Sequence, residues 1–167
     1  MTTVIFSHGQ ESGPWGTKIQ AMAECVRGLG CEADSIDYQG MTDPAERVSK
    51  LRSICASASD RLVLVGSSMG GHVAAACAAE ASVAGLFVLA PAFYMPGYED
   101  MTPAPADVPT EIVHGWHDDI VPPENSIRWA ERNAATLHMV DGDHRLTANI
   151  DEINYYLSRF LERVGPR

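Results

Sequence analysis

The stretch Val63-Leu64-Val65-Gly66-Ser67-Ser68-Met69-Gly70-Gly71 constrains this chain more than any other. An apolar run stops abruptly at glycine and serine, and a nearly unbroken series of small apolar residues, 73–79, follows. That order reads as strand, sharp turn, helix. A serine carried on so tight a turn forces the residues two places before and after it against each other, and only glycine lacks the Cβ that would clash. Gly66 and Gly70 stand in those places for Ser68, whereas Ser67 has Val65 and Met69 and fails the same test. Ser68 is therefore the candidate nucleophile. Where the helix begins, the backbone N–H of Met69 has no intrahelical acceptor and points to where a negatively charged oxygen would form. Taken alone, the pentapeptide also fits a glycine-rich turn with a surface serine. The question is whether an acid and a histidine follow in the right order.

Around this turn the chain alternates strand and helix signals. Val4-Ile5-Phe6 is a short buried strand that runs into the turn-rich loop Ser7-His8-Gly9-Gln10-Glu11-Ser12-Gly13-Pro14. Ile19, Met22, Ala23, Val26 and Leu29 recur at helical spacing, and Gly28 and Gly30 mark the helix end. A weakly apolar stretch over 33–38 suits an edge strand. Asp43-Pro44-Ala45-Glu46 is a helix start, with Asp43 as N-cap, Pro44 in the first helical position and Glu46 placed to complete a capping box. Val48, Leu51, Ile54 and Cys55 should form the buried face of that helix.

Leu86-Phe87-Val88-Leu89 is apolar at every position, as in a parallel strand covered on both faces. Ile112-Val113 opens another strand, a helix runs from Pro122-Pro123-Glu124 through Ala134, and a last strand spans 137–140. Ile150, Ile153, Leu157, Phe160, Leu161 and Val164 line a closing amphipathic helix. The pattern predicts an α/β fold with a mainly parallel sheet, in a single domain over 1–167. Residues 91–109, with five prolines, form the one long unpatterned stretch, which should overhang the same sheet edge as Ser68.

Serine is a poor nucleophile without a base, and the base needs a partner that fixes its tautomer. Downstream of Ser68, His114-Gly115-Trp116-His117-Asp118-Asp119-Ile120-Val121-Pro122 offers the acid, and Asp141-Gly142-Asp143-His144 offers the base. With His-Gly-x-x-Asp-x-x-Val-Pro followed by Gly-x-His, the chain resembles the α/β-hydrolase superfamily, in its small dienelactone-hydrolase-like and carboxylesterase-like branch. The resemblance runs from His8-Gly9 to His144. It implies that Asp118, rather than the neighbouring Asp119, is the acid and that His144 is the base. It also implies that Ser7-His8-Gly9-Gln10 is an oxyanion-hole loop, whose Gln10 N–H joins that of Met69.

The same resemblance implies a minimal, mostly parallel six-stranded α/β-hydrolase sheet with helices on both faces. The chain lacks room for the leading strands and inserted cap domain of larger relatives, which leaves 91–109 as its only lid-like element. The implied activity is that of a serine hydrolase cleaving a small ester or thioester through an acyl-enzyme, with no metal or organic cofactor. Dienelactone hydrolases themselves carry cysteine where Ser68 stands, so their particular activity is not implied. A peptidase or perhydrolase on the same triad, and a catalytically silent binding or regulatory scaffold, are the alternatives.

Other polar residues have plainer readings. Asp141 and Asp143 are expected as turn formers or partners of Arg145. His8 should brace its loop, and His72 and His138 should be structural. His114, His117 and Asp118 could suggest a metal site, but His114 lies where a strand ends and no third ligand shows characteristic spacing, so no metal site is expected. Trp15, Phe93, Tyr94 and Trp116 are candidates for lining an acyl or alcohol pocket. The net charge of −10 speaks against nucleic-acid and anionic-membrane partners. No run approaches a membrane span, and Val4 already reads as strand, so no signal peptide is expected. Cys25, Cys31, Cys55 and Cys77 show no paired spacing and read as reduced thiols of a cytoplasmic protein. The oligomeric state is not indicated by any pattern, and the natural substrate depends on loop shape.

Overall fold

Strands that are apolar at every position need cover on both faces, and the fold supplies it. The protein is described by a computed structural model covering residues 1–105 and 107–165. Ala106, inside the 91–109 stretch, and residues 166–167, at the end of the expected domain, lie outside the described residues. The strands are β1 (Thr2–Ser7), β2 (Glu32–Ile36), β3 (Arg61–Ser67), β4 (Gly85–Leu89), β5 (Thr110–Gly115) and β6 (Thr136–Val140). They form one parallel sheet in the order β2-β1-β3-β4-β5-β6. The helices between and after them are α1 (Thr17–Gly28), α2 (Pro44–Ser57), α3 (Met69–Ala78), α4 (Pro123–Asn133) and α5 (Ile150–Val164).

Successive strand residues point to opposite faces, so each strand feeds two cores. Val4, Phe6, Val63, Val65, Phe87 and Leu89 pack with Met22 and Val26 of α1 and with Leu157 and Phe160 of α5. The alternate positions Ile5, Leu64, Leu86, Val88 and Ile112 pack with Leu51 of α2, Val73 and Cys77 of α3, and Trp129 of α4. Burying each such large apolar side chain contributes roughly 1.5–3 kcal/mol relative to leaving it exposed. β3, closed on both faces and flanked by β1 and β4, is thus a firm base for the turn that follows it. The sheet is the expected six-stranded one, with the weakly apolar β2 at an edge.

Two expectations for α2 change. The Asp43 carboxylate accepts from Ala45 N–H at 2.9 Å, but among the described residues no return bond runs from Glu46, which is exposed. The cap is thus single: Asp43 caps the helix alone and Glu46 stays exposed. Leu51 is fully buried as expected, whereas Val48, Ile54 and Cys55 are only half-buried and Arg47 is enclosed. The helix turns Arg47 inward because its guanidinium finds carbonyl acceptors in the loop after β1. All four cysteines are free; Cys77 is buried and the others half-buried.

The sheet order grows in opposite directions from β1 and β3: β1 leads to β2 on one side, β3 to β4 on the other. Loops leaving the carboxyl ends of such a strand pair diverge and leave a crevice. The loop with Gln10 follows β1, and Ser68 follows β3. Among the described residues, no helix is long and apolar enough to cross a membrane.

Candidate active site

Ser68 adopts φ 55° and ψ −120° between β3 and α3. This is backbone that a residue with a side chain avoids, at a cost on the order of 1–3 kcal/mol. Hydrogen bonds hold it there. Ser68 N–H donates to Leu89 O at 2.9 Å, and its carbonyl accepts from Gly71, His72 and Ala92 at 3.0, 3.2 and 3.0 Å. A Cβ on Gly66 would meet the backbone of Gly70 and Gly71, and one on Gly70 would overlap the carbonyls of Ser7 and His8. The elbow is thus closed on one side by itself and on the other by the loop after β1. Gly70→Ala is expected to prevent accumulation of folded protein, since backbone rather than a movable side chain lies in the way. Soluble yield and circular dichroism check this; a variant that folds and melts like wild type contradicts it.

The Ser68 hydroxyl lies 3.0 Å from His144 Nε2. His144 Nδ1 lies 2.8 Å from Asp118 Oδ2. The other carboxylate oxygen of Asp118 accepts from the N–H groups of Ile120 and Val121 at 2.9 and 2.8 Å. The Asp118 side chain is fully buried and that of His144 is 19% exposed. Asp119 is exposed, so of the two adjacent carboxylates it is Asp118 that the fold brings to His144. Both loops can meet because Gly115, at the end of β5, has no side chain: a Cβ there would press on the backbone of Gly142 and Asp143. The Asp143 carboxylate shapes the loop that carries His144 by accepting from Arg145 and Leu146 N–H, each at 3.0 Å.

Further residues support this cluster: His8 braces its loop as expected, whereas no sequence pattern singles out Arg47 or Lys18 or gives His114 this part. His114 is fully buried in β5, and its Nε2 lies 3.0 Å from both Val121 O and Asp118 Oδ2. Its Nδ1 lies 2.7 Å from Ser126 Oγ. Burial lowers its pKa; the neutral ring therefore carries its proton on Nε2, facing two oxygens, and accepts from Ser126. Arg47 donates to His8 O at 3.1 Å, Gly9 O at 3.3 Å and Met41 O at 2.8 Å. His8 braces the same loop, accepting from Tyr38 N–H on Nε2 at 2.8 Å and donating to Gly9 O from Nδ1 at 2.7 Å. Lys18 donates to Ser67 Oγ and to Arg145 O, both at 3.0 Å.

Away from the cluster, His138 is structural, 2.7 Å from Glu111 Oε2 and stacked on Tyr156. His117 meets Asp141 on the surface at 2.9 Å. Among the described residues, no group of three His, Cys, Asp or Glu side chains could hold a metal ion.

A cavity of about 280 Å³ opens above Ser68. Gln10, Met69 and Ser68 line one part of it, and Met95, Pro96 and Ile120 another; none of its lining residues is charged. Among the described residues, the backbone N–H groups of Gln10 and Met69 have no loop or turn acceptor. His72, expected to be structural, also lines this cavity, and burial lowers its pKa, which leaves it neutral.

The four aromatic candidates do not line it. Phe93 is fully buried and stacks on Trp129 at 4.7 Å, because the chain after β4 folds back onto α4. Tyr94, at φ 53°, turns away under the Arg128 guanidinium and lines a separate cavity of about 350 Å³. Trp15 is exposed beneath Arg27, and Trp116 is 56% exposed. The 91–109 stretch does overhang Ser68, but through Ala92, Met95, Pro96 and Tyr98.

A family described as alpha/beta hydrolase domain matches residues 1–153. Among solved structures, a protein from Xanthomonas campestris pv. campestris placed in the alpha/beta hydrolase superfamily is 31% identical. The alignment covers 96% of this chain and 97% of that one, with a TM-score of 0.86. Est1E from Butyrivibrio proteoclasticus is 16% identical over 97% of this chain and 87% of its own, with a TM-score of 0.86. The esterase Pf2001 from Pyrococcus furiosus is 18% identical over 99% and 84%, with a TM-score of 0.80. At those identities the last two share the fold. No curated protein matches the chain.

Proposed function

The chain belongs to the alpha/beta hydrolase family, and on that premise we propose that it is a serine hydrolase acting on a small, uncharged ester or thioester. The observation that carries the reading is the unbroken line of hydrogen bonds from Ser68 Oγ through His144 to Asp118. Ser68 Oγ attacks the substrate carbonyl while its proton passes to His144 Nε2. Asp118, accepting from Nδ1–H, keeps Nε2 free to take that proton and stabilises the imidazolium. The carbonyl oxygen becomes an oxyanion held by the N–H groups of Met69 and Gln10. Collapse of the tetrahedral intermediate expels the alcohol or thiol, which takes the proton back from His144. Water, deprotonated by His144, then attacks acyl-Ser68 and releases the acid. Neither a metal nor an organic cofactor has a step in this sequence, and the only partner it requires is the small-molecule substrate.

The cavity supports the substrate class. At about 280 Å³ it lies just below the range usual for ligand pockets. Met95, Pro96 and Ile120 offer an apolar seat, and no cation on the wall compensates a buried carboxylate. On p-nitrophenyl esters, kcat/KM for butyrate is therefore expected to exceed that for hemisuccinate and for palmitate by about tenfold or more. Equal values for butyrate and hemisuccinate contradict the uncharged-substrate reading. Faster turnover of aminoacyl amides than of any ester favours a peptidase. No turnover of esters, acyl-CoAs or amides favours a silent scaffold.

A further inference from the structure

Lys18, in the first turn of α1, bridges two other elements. Its ammonium donates to Ser67 Oγ, one residue before the nucleophile, and to Arg145 O, one residue after the base. The carboxylates facing it are Asp143, in the same loop as Arg145, and Asp118. That loop has no regular structure between the end of β6 and Thr147, and Leu146 sits at φ 56° within it. Backbone bonds hold the loop at Gly142 O, from His117 N–H, and at Leu146 O, from Asn149 N–H, each at 3.0 Å; between them side-chain ties help to fix His144 Nε2 above Ser68.

Burial outweighs the two carboxylates and pulls the Lys18 pKa down from 10.5 to about 8. The unfolded chain then binds more protons than the folded one between those values. The contribution of Lys18 to stability is unfavourable below pH 8 and becomes less so as pH rises through that window. Methionine, with a stem of similar length and no charge, would occupy the slot without this penalty. The half-buried lysine carries a charge that its surroundings disfavour, at a place where it joins nucleophile and base.

We propose that Lys18 is a positioning residue that ties the His144 loop to the strand carrying Ser68, keeping the imidazole within reach of the hydroxyl. Its effect on rate rests on the serine-hydrolase reading; its effect on the loop does not. Misplacement of a base by about 1 Å costs on the order of a hundredfold in rate.

The test compares wild type, Lys18→Met, Ser67→Ala and the double variant in the full chain. Three things are measured: amide hydrogen exchange of peptides spanning 141–147, kcat and KM for p-nitrophenyl butyrate, and Tm at pH 7 and pH 10. For Lys18→Met, exchange over 141–147 should rise about tenfold while β3 keeps its protection. Its kcat should fall by about tenfold or more with KM within about twofold. Its Tm at pH 7 should not fall below that of wild type, and any advantage should shrink at pH 10. Ser67→Ala should loosen the same peptides to a smaller degree, and the double variant should match Lys18→Met.

Unchanged exchange over 141–147 in both single variants overturns the proposal. So does loss of protection throughout the molecule with a lowered Tm, which marks a merely structural lysine. If Lys18→Met does not fold, exchange in Ser67→Ala decides. If wild type hydrolyses no ester, the exchange result still decides for Lys18, and the failure belongs to the serine-hydrolase reading.

Discussion

Ser68→Ala is expected to lower kcat for ester hydrolysis by roughly a millionfold, leaving only what the oxyanion donors and binding supply. The loss should come without loss of the fold. Ser68 occupies φ 55° and ψ −120°, a conformation set by the hydrogen bonds of its backbone, and alanine inherits both the bonds and the strain. Ser68→Gly sharpens the test. Glycine adopts this backbone freely, so that variant should be equally inactive yet more stable, by up to about 2 kcal/mol once glycine's greater freedom in the unfolded chain is set against the relieved strain. Initial rates and thermal melts of the three proteins check both halves. Measurable turnover by Ser68→Ala at the wild-type rate contradicts the assignment of the nucleophile, and a lowered Tm for Ser68→Gly contradicts the account of strain at the elbow.

Asp118→Asn is expected to lower kcat by about four orders of magnitude. The reason lies in how the two carboxylate oxygens are committed. Oδ1 accepts from the N–H groups of Ile120 and Val121, so the amide oxygen of asparagine must take that side. The amide nitrogen is then left facing His144 Nδ1 and His114 Nε2, where Oδ2 stood. As a donor it forces His144 to accept on Nδ1 and to carry its proton on Nε2, pointing at Ser68, where it cannot take a second one. It also meets the Nε2–H of His114 donor to donor. The fold should survive, because the two backbone N–H groups keep their acceptor. Steady-state kinetics on Asp118→Asn beside Asp119→Asn checks the claim. A fall of less than about tenfold for the first, or a comparable fall for the second, contradicts it.

Some of this site is legible in the residues and some is not, for physical reasons. Ser68 can be picked out over Ser67 because the sterics of a tight turn are local: Gly66 and Gly70, two places to each side, are the whole signal. The parallel sheet is legible because Leu86-Phe87-Val88-Leu89 offers apolar groups to both faces. Asp118 and Asp119 are chemically alike and adjacent, and only a resemblance separates them in the sequence; the fold separates them by burying one and exposing the other. Lys18 and Arg47 leave no local trace, since what each does is defined by partners many residues away; His114 stands in a legible motif, but its contact with Asp118 does not show in the pattern.

The aromatic candidates show the opposite error. Phe93 and Tyr94 do lie in the stretch that overhangs Ser68, but an irregular stretch has no period from which to read direction. Trp129 stacks on the first and Arg128 covers the second, while the less conspicuous Met95, Pro96 and Ile120 line the cavity.

Mass spectrometry of the chain after reaction with a fluorophosphonate probe tests the central claim most directly. One phosphonyl group is expected per chain, on the peptide holding residues 63–71 and at the oxygen of Ser68, with no label on Ser68→Ala and much slower labelling of Asp118→Asn. A folded wild-type protein that takes no label, or that carries it on Ser67 or elsewhere, contradicts the account.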